Sequence, residues 1–195
     1  MILFLPNCSF LSEVSRALEI ATALRARGVE VAFGSRGGRY AHLIEAAGLS
    51  VTPLEPAITP QTEADFLAAI LSMGPRTSRD FYRDDELRTA VDAEVDLIRR
   101  LGADLVVTGF TLSAYLSTRV AGVPLATDHG GSFVPPVLAH MLCPVAVNPP
   151  DPNLAKLPRP VQRWMANRAP GFIHGPDDQL NRHARERGVE PLPNM

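Results

Sequence analysis

MILFLPNCSFLSEVSRALEIATALRARG, residues Met1 to Gly28, decides the fold. Met1–Leu5 is an apolar run of strand length, and Pro6–Ser12 is a stretch of turn formers and small polar residues. Val14, Ala17, Leu18, Ala21 and Leu24 then recur on one face with the 3.6-residue period of a helix packed on a sheet. Gly28 supplies a C′ stop, with Arg25 and Arg27 placed where positive charge suits the end of the helix dipole. The next apolar run, Val29–Phe33, follows at once. Strand, helix and strand in this space make a βαβ unit, and a βαβ unit requires a parallel sheet. Ligands of such sheets bind beyond the carboxyl ends of the strands, where the strand order reverses. Pro6–Ser12 is therefore expected to be a wall of the functional site.

The rest of the chain repeats the alternation. A helix over about Tyr40–Ala47 is stopped by Gly48, and Leu49–Leu54 is a third strand whose Pro53 suits an edge. Thr62 to Ser72 reads as a helix, broken by Gly74-Pro75. A longer helix spans Asp84–Leu101, with Leu87, Val91, Val95 and Ile98 on one face. Asp104–Thr108 and Val123–Thr127 are strands on either side of a helix over Leu112–Ala121. Pro135-Pro136 opens a helix to about Leu142. Cys143–Pro160, with six prolines, reads as irregular surface. A short helix over Val161–Arg168, a sixth strand over Gly171–His174 and a terminal helix over Leu180–Arg187 complete the chain. The pattern predicts one α/β domain over residues 1–195: a doubly wound, Rossmann-like, mainly parallel sheet with helices on both faces and strands 1 and 4 adjacent. Loops Pro6–Ser12 and Gly109–Ser113 then face each other, with Asp128–Ser132 beside them.

Composition removes several functions. A net charge of −2 gives no electrostatic case for nucleic acid, and no apolar run approaches the roughly 20 residues of a membrane span. The N-terminus lacks the basic region of a signal peptide, which with Cys8 and Cys143 read as free thiols points to the cytoplasm. Lys156, the single lysine, lies in a proline-rich stretch and not after a glycine loop, so a P-loop is excluded. Pro6–Ser12 has no glycine, which disfavours a dinucleotide fingerprint.

Few residues remain for chemistry. Glu13 falls in the first turn of the first helix, facing the expected crevice. There it can act as a general base if burial raises its pKa, or it can simply complement the helix dipole. Asp128 and His129 lie at a strand's carboxyl end. The remaining histidines show no metal-ligand spacing, and no G-x-S-x-G elbow is present. Arg76, Arg79 and Arg83 are interleaved with acids, which reads as a solvated face. Leu67, Ile70, Leu71, Met73, Phe81 and Tyr82 read mainly as core, with a few lining an apolar pocket.

Three stretches resemble the N-terminal half of GT-B glycosyltransferases that act on natural products and lipids. They are Ile2–Leu24; Leu24–Leu54, with its RARGVEVAF and AAGLSVTPL; and Ala103–Pro124, ADLVVTGFTLSAYLSTRVAGVP. The resemblance implies an acceptor-binding domain that works with a second, donor-binding domain, on the same or a separate chain, which holds a nucleotide-diphosphate sugar. It implies transfer of a hexose to a hydroxyl of a small molecule or lipid, with no cofactor or metal held by this chain. The family often carries a histidine at the start of the first helix, in a G-H-x-x-R or G-H-x-x-P pattern, oriented by an aspartate after the fourth strand. Ser12-Glu13-Val14-Ser15-Arg16 places Glu13 at the histidine's position, and Gly109 stands in the aspartate's. Glu13 is then the candidate base. Asn7, Ser9, Phe10, Ser12, Met73, Phe81, Phe110, Asp128, His129 and Gly130 are the candidate acceptor contacts. The alternative is a non-catalytic module that keeps the fold and binds a small ligand or a partner protein.

Overall fold

Five strands, β1 (Ile2–Phe4), β2 (Val31–Ser35), β3 (Val51–Pro53), β4 (Leu105–Thr108) and β5 (Leu125–Thr127), form a parallel sheet in the order β3-β2-β1-β4-β5. The structure, a computed structural model, describes residues 1–71, 80–128, 135–145, 152–168 and 175–192. The N-terminal strand is central, with Ile2 opposite Val31 on one side and Leu105 on the other. The order reverses between β1 and β4, as the doubly wound pattern requires. Pro53 does lie on an edge strand, where its missing N–H costs no ladder bond.

Strand alternation sorts the core into two layers. Phe4, Phe33 and Val107 point to one face, where they meet Val14, Ala17 and Ala21 of α1 (Leu11–Arg25) and Ile44 of α2 (His42–Ala46). The Phe4 and Phe33 rings stack there at 5.1 Å. Leu3, Leu5 and Val106 point to the other face, against Leu97 and Ile98 of α4 (Asp84–Leu101) and Ala114 of α5 (Ala114–Ala121). A third cluster extends that layer. Phe81, Leu87, Val91, Leu112 and Leu116 pack with Leu180 and Ala184 of α9 (Gly175–Glu186) and with α3 (Pro60–Leu71) through Phe66 and Ala69.

Boundaries differ from the sequence reading mostly at proline. The segment read as irregular contains a helical turn, α7 (Pro152–Ala155), and α8 begins at Arg159, two residues before Val161. Pro152 and Pro160 sit in first turns, where a missing N–H leaves no helical bond unmade. α6 (Pro135–Ala139) is shorter than expected, and α9 starts five residues before Leu180. The third and fifth strands keep only three residues each. The expected strand at Gly171–His174 lies outside the described residues. Cys8 and Cys143 are buried free thiols. Among the described residues no helix is long and apolar enough to cross a membrane.

Two devices fix the loops around the strand ends. Gly38, at φ +122°, brings its backbone against Cys8, where a Cβ would meet the Cys8 carbonyl carbon at 2.8 Å; Tyr40 N–H donates to the Cys8 carbonyl at 2.9 Å. On the other face, Gln179 of α9 clasps the segment before α4. Its Oε1 accepts from Tyr82 N–H at 3.2 Å, and its Nε2 donates to the Tyr82 carbonyl at 2.6 Å and to Asp84 at 3.2 Å. Gln179 is buried, so these backbone groups have no water to turn to. Gln179→Ala should lower the unfolding free energy by about 2 kcal/mol, since it strips partners from a buried N–H and C=O. Urea titration checks this, and an unchanged midpoint would show that the segment does not depend on the clasp.

Candidate functional site

At the carboxyl ends of β1 and β4 the two facing loops close on one another. Asn7 is buried with both ends of its amide engaged: Oδ1 accepts from Ser9 N–H at 3.1 Å, and Nδ2 donates to the Phe110 carbonyl at 3.2 Å. Phe10 precedes α1 and meets the Phe110 ring edge-on at 6.0 Å. The loop from β1 and the loop from β4 are thus joined by one amide and one aromatic pair.

Glu13 lies beneath this junction, 7 % exposed. Its Oε2 accepts from Phe110 N–H at 2.7 Å, and its Oε1 pairs with Arg16 at 2.5 Å. Arg16 also donates from Nε to Asp128 at 3.0 Å, so an acid–arginine–acid chain runs from α1 to the end of β5. The Glu13 carboxylate stands where a side chain at position 109 would be, since a Cβ on Gly109 would come within 1.9 Å of Oε2. Burial pushes the Glu13 pKa up, with the Asp128 charge adding to the rise; the Phe110 N–H and Arg16 pull it back without cancelling it. Its environment therefore favours proton uptake more than a helix N-terminus alone would allow.

Beside the crevice, a cavity of about 330 Å³ opens at the carboxyl ends of β1 and β2, beneath α3 and against α4. Leu5, Leu54, Ile58, Phe66, Ala69 and Phe81 give it an apolar wall. Phe66 links it to the crevice, lying 6.4 Å from the Phe10 ring and 6.0 Å from the Phe110 ring. Arg36 stands at its polar edge, bound to Glu86 at 2.5 Å and to the Pro56 carbonyl at 2.7 Å, with its guanidinium 5.9 Å from the Tyr82 ring centre. Glu94 of α4 reaches the same cavity and is 1 % exposed. Ser113 donates to its Oε1 at 2.5 Å, while Oε2 has no partner among the described residues. Burial pushes the Glu94 pKa up to about 7 against the opposing pull of Ser113, Ser117 and Arg36. The Ser117 hydroxyl favours the charged form but makes no hydrogen bond of good geometry to Oε2.

The candidate residues distribute unevenly. Glu13, Asn7, Phe10, Phe110 and Asp128 meet in the crevice. Asn7, Ser9 and Phe81 line the cavity. Ser12 is exposed in the first turn of α1, its carbonyl accepting from Ser15 Oγ at 3.2 Å. Tyr82 joins the cavity wall, while Arg83 pairs with Asp85 on the surface. Met73, Arg76, Arg79, His129 and Gly130 lie outside the described residues, and so do the side chains of Ile70 and Leu71. No group of metal-binding side chains occurs among the described residues. The sequence reading passed over Arg16, Arg36 and Glu94. Arg16 had a signal in its spacing, three residues after Glu13 on the same helix face, and Glu94 had another. It falls three residues after Val91 and seven after Leu87, an acid inside the apolar stripe of α4.

No protein-family model matches this chain, and no curated protein does. Solved structures do. The glycosyltransferase SsfS6 from Streptomyces sp. SF2575 aligns with 100 % of this chain at TM-score 0.55 and 17 % identity, over 48 % of its own length. The spinosyn forosaminyltransferase SpnP aligns with 99 % at TM-score 0.56 and 16 % identity, over 43 % of its length. The glycosyltransferase SnogD from Streptomyces nogalater aligns with 68 % at TM-score 0.50 and 23 % identity, over 34 % of its length. The chain has the α/β fold found in GT-B glycosyltransferases. It spans less than half the length of each of these three.

Buried Glu94 makes stability depend on pH with a definite sign. Between the ordinary glutamate pKa of 4.5 and about 7, the folded chain holds a proton that the unfolded chain has released. Stability from this group therefore falls as pH rises through that window, and the full cost of charging it is present above about 7. Relative to Glu94→Gln, the wild-type chain should gain on the order of 2 kcal/mol as pH drops from about 8 to about 5. Paired urea titrations at the two pH values measure it. A constant difference between the two proteins would show that Glu94 does not hold its proton in the fold.

Proposed function

We propose that this chain is the acceptor-binding half of a glycosyltransferase that moves a hexose from a nucleotide-diphosphate sugar to a hydroxyl of a small molecule or lipid. The observation that carries the reading is the cavity of apolar wall and polar edge at the carboxyl ends of β1 and β2, in a fold that glycosyltransferases share. The volume suits a ring system, and the aromatic bridge through Phe66 leads from it to the crevice that holds Glu13. The nucleotide sugar is assigned to a donor-binding domain, on the same chain or another.

In this reading Glu13 takes the proton from the acceptor hydroxyl as that oxygen attacks the anomeric carbon and the nucleoside diphosphate leaves. Burial raises its pKa toward the range useful for a base. Each carboxylate oxygen keeps a lone pair beyond those used by Phe110 N–H and Arg16. Asn7, Ser9, Phe10, Ser12, Phe81, Phe110 and Asp128 remain the acceptor contacts proposed from the sequence, together with Met73, His129 and Gly130.

Arg16 favours a second reading. A carboxylate paired to an arginine that also grips Asp128 is a brace between α1, β4 and β5, as a non-catalytic binding module would need. Glu13→Gln separates the two. In a transfer assay that supplies a donor-binding half, loss of the base lowers kcat by on the order of 100-fold with the urea midpoint unchanged. A brace instead loses stability and keeps its rate.

The domain assignment has its own test. Calorimetry of the 195-residue chain with uridine and thymidine diphosphate sugars should show no micromolar binding. Tight binding by this chain alone would place the donor site here and overturn the acceptor assignment.

A further inference from the structure

Three buried side-chain oxygens around the cavity lack a hydrogen-bond partner among the described residues: Glu63 Oε1, Thr111 Oγ1 and Glu94 Oε2. A carboxylate oxygen can only accept, and a hydroxyl can do either. Most of the nearby donors are engaged elsewhere; the Ser117 hydroxyl beside Glu94, itself without a partner among the described residues, is not. Arg36 is held by Glu86 and the Pro56 carbonyl, Arg39 pairs with Glu63 through its other oxygen, and Ser113 serves Glu94 Oε1. The cavity is therefore short of donors along one side and apolar along the other. Leaving a buried polar atom unpaired costs free energy, and a ligand that supplies the missing donor recovers it.

We propose that Glu94 is the specificity-determining residue of this cavity, taking a hydrogen bond through Oε2 from a hydroxyl carried by an otherwise apolar, ring-bearing ligand. Leu5, Leu54, Phe66 and Phe81 hold the ring; Thr111 stands by as a second polar contact. Ser113, the residue before α5, fixes the carboxyl and leaves Oε2 as its free end. The inference rests on reading the cavity as the acceptor site, and it makes that acceptor a hydroxylated ring compound.

The ionised carboxyl accepts more strongly than the protonated one, so the preference for a hydroxyl grows as pH rises through about 7. The charged and titratable groups that act on Glu94 or line its cavity are Arg36 after β2, Asp80, Tyr82 and Arg83 before α4, Glu86 on α4, and Glu63 and Asp65 on α3; Ser113, just before α5, and Ser117 on α5 contribute only hydroxyls. Burial raises the Tyr82 hydroxyl well out of this range.

Binding of naphthol and of its methyl ether to the purified chain, followed by calorimetry between about pH 5.5 and about pH 8, tests the proposal below the phenol's own ionisation. The two probes share their ring and differ in the donor. The wild-type chain should prefer naphthol by about tenfold or more at the upper pH, falling as the solution is acidified. Glu94→Met, similar in size and apolar, should bring the two affinities together while the ether still binds. Glu94→Gln should keep part of the preference and lose its pH dependence. Equal affinities in the wild-type chain would mean that Ser117 or the fold itself satisfies Oε2, and the proposal falls. It falls equally if Glu94→Met leaves the ratio unchanged, if the ratio is flat with pH, or if neither probe binds. No sugar is transferred in this experiment, so its failure leaves the nucleotide-sugar test of the broader reading standing.

Discussion

The Glu13 carboxylate sits over a residue that has no side chain, and the crevice at the sheet's switch point takes its form from that one fit. Gly109 leaves the room, Phe110 N–H supplies the bond, and Arg16 carries the charge on to Asp128. Three elements far apart in sequence meet there: the start of α1 and the ends of β4 and β5. A larger residue at 109 would push the acid out, free the Phe110 N–H and release the arginine from one of its two partners. Asn7 and the Phe10–Phe110 pair close the same junction from above. The geometry suits a fixed anion and a base alike, because both need a carboxylate that cannot swing away.

The second polar centre is built by the opposite logic. Glu13 has both carboxylate oxygens answered, by Phe110 N–H and Arg16, whereas Glu94 is buried on the apolar side of a helix with one oxygen answered and one not. Burial of a carboxyl among apolar side chains is costly, and the chain meets that cost by letting the group hold its proton up to about pH 7. A carboxyl kept at such a cost on a cavity wall fits a binding role, and it also gives the buried Ser113 hydroxyl an acceptor that a Leu or Met there would remove. The clasp of Gln179 on Tyr82 belongs to the same region. It holds the strand of chain that carries Phe81 and Tyr82 against the cavity, and does so from the far end of the sequence.

Both centres lie beyond the carboxyl ends of the strands, on the two sides of β1. The position follows from the sheet. Parallel strands flanked by helices on both faces leave only their ends open, and the order reversal parts the loops to make room. Phe66 from α3 then joins the two, touching the rings of Phe10 and Phe110 on one side and of Phe81 on the other.

Local pattern determined the architecture. The apolar stripe of α1, the Asp84–Leu101 helix with its acids first and arginines last, and the glycines that end the helices each act through neighbours within a few residues, so the sequence alone carries them. The central place of the first strand and the facing of Pro6–Ser12 with Gly109–Ser113 followed from the doubly wound order, and the sheet has that order. Glu13 was legible as an acid in the right turn, but its state was not. Its arginine partner lies three residues on, but whether the acid met solvent or the vacant side of Gly109 depended on residues about a hundred positions away. The same is true of Arg16, which nothing local ties to Asp128, and of Arg36, whose partners come from a loop and a distant helix. Glu94 showed in the sequence as a charge on an apolar stripe; that a serine takes one of its oxygens and leaves the other without a hydrogen bond was decided only when α5 packed against α4. Hydrogen bonding and desolvation are properties of the assembled interior, and no periodicity along the chain encodes them.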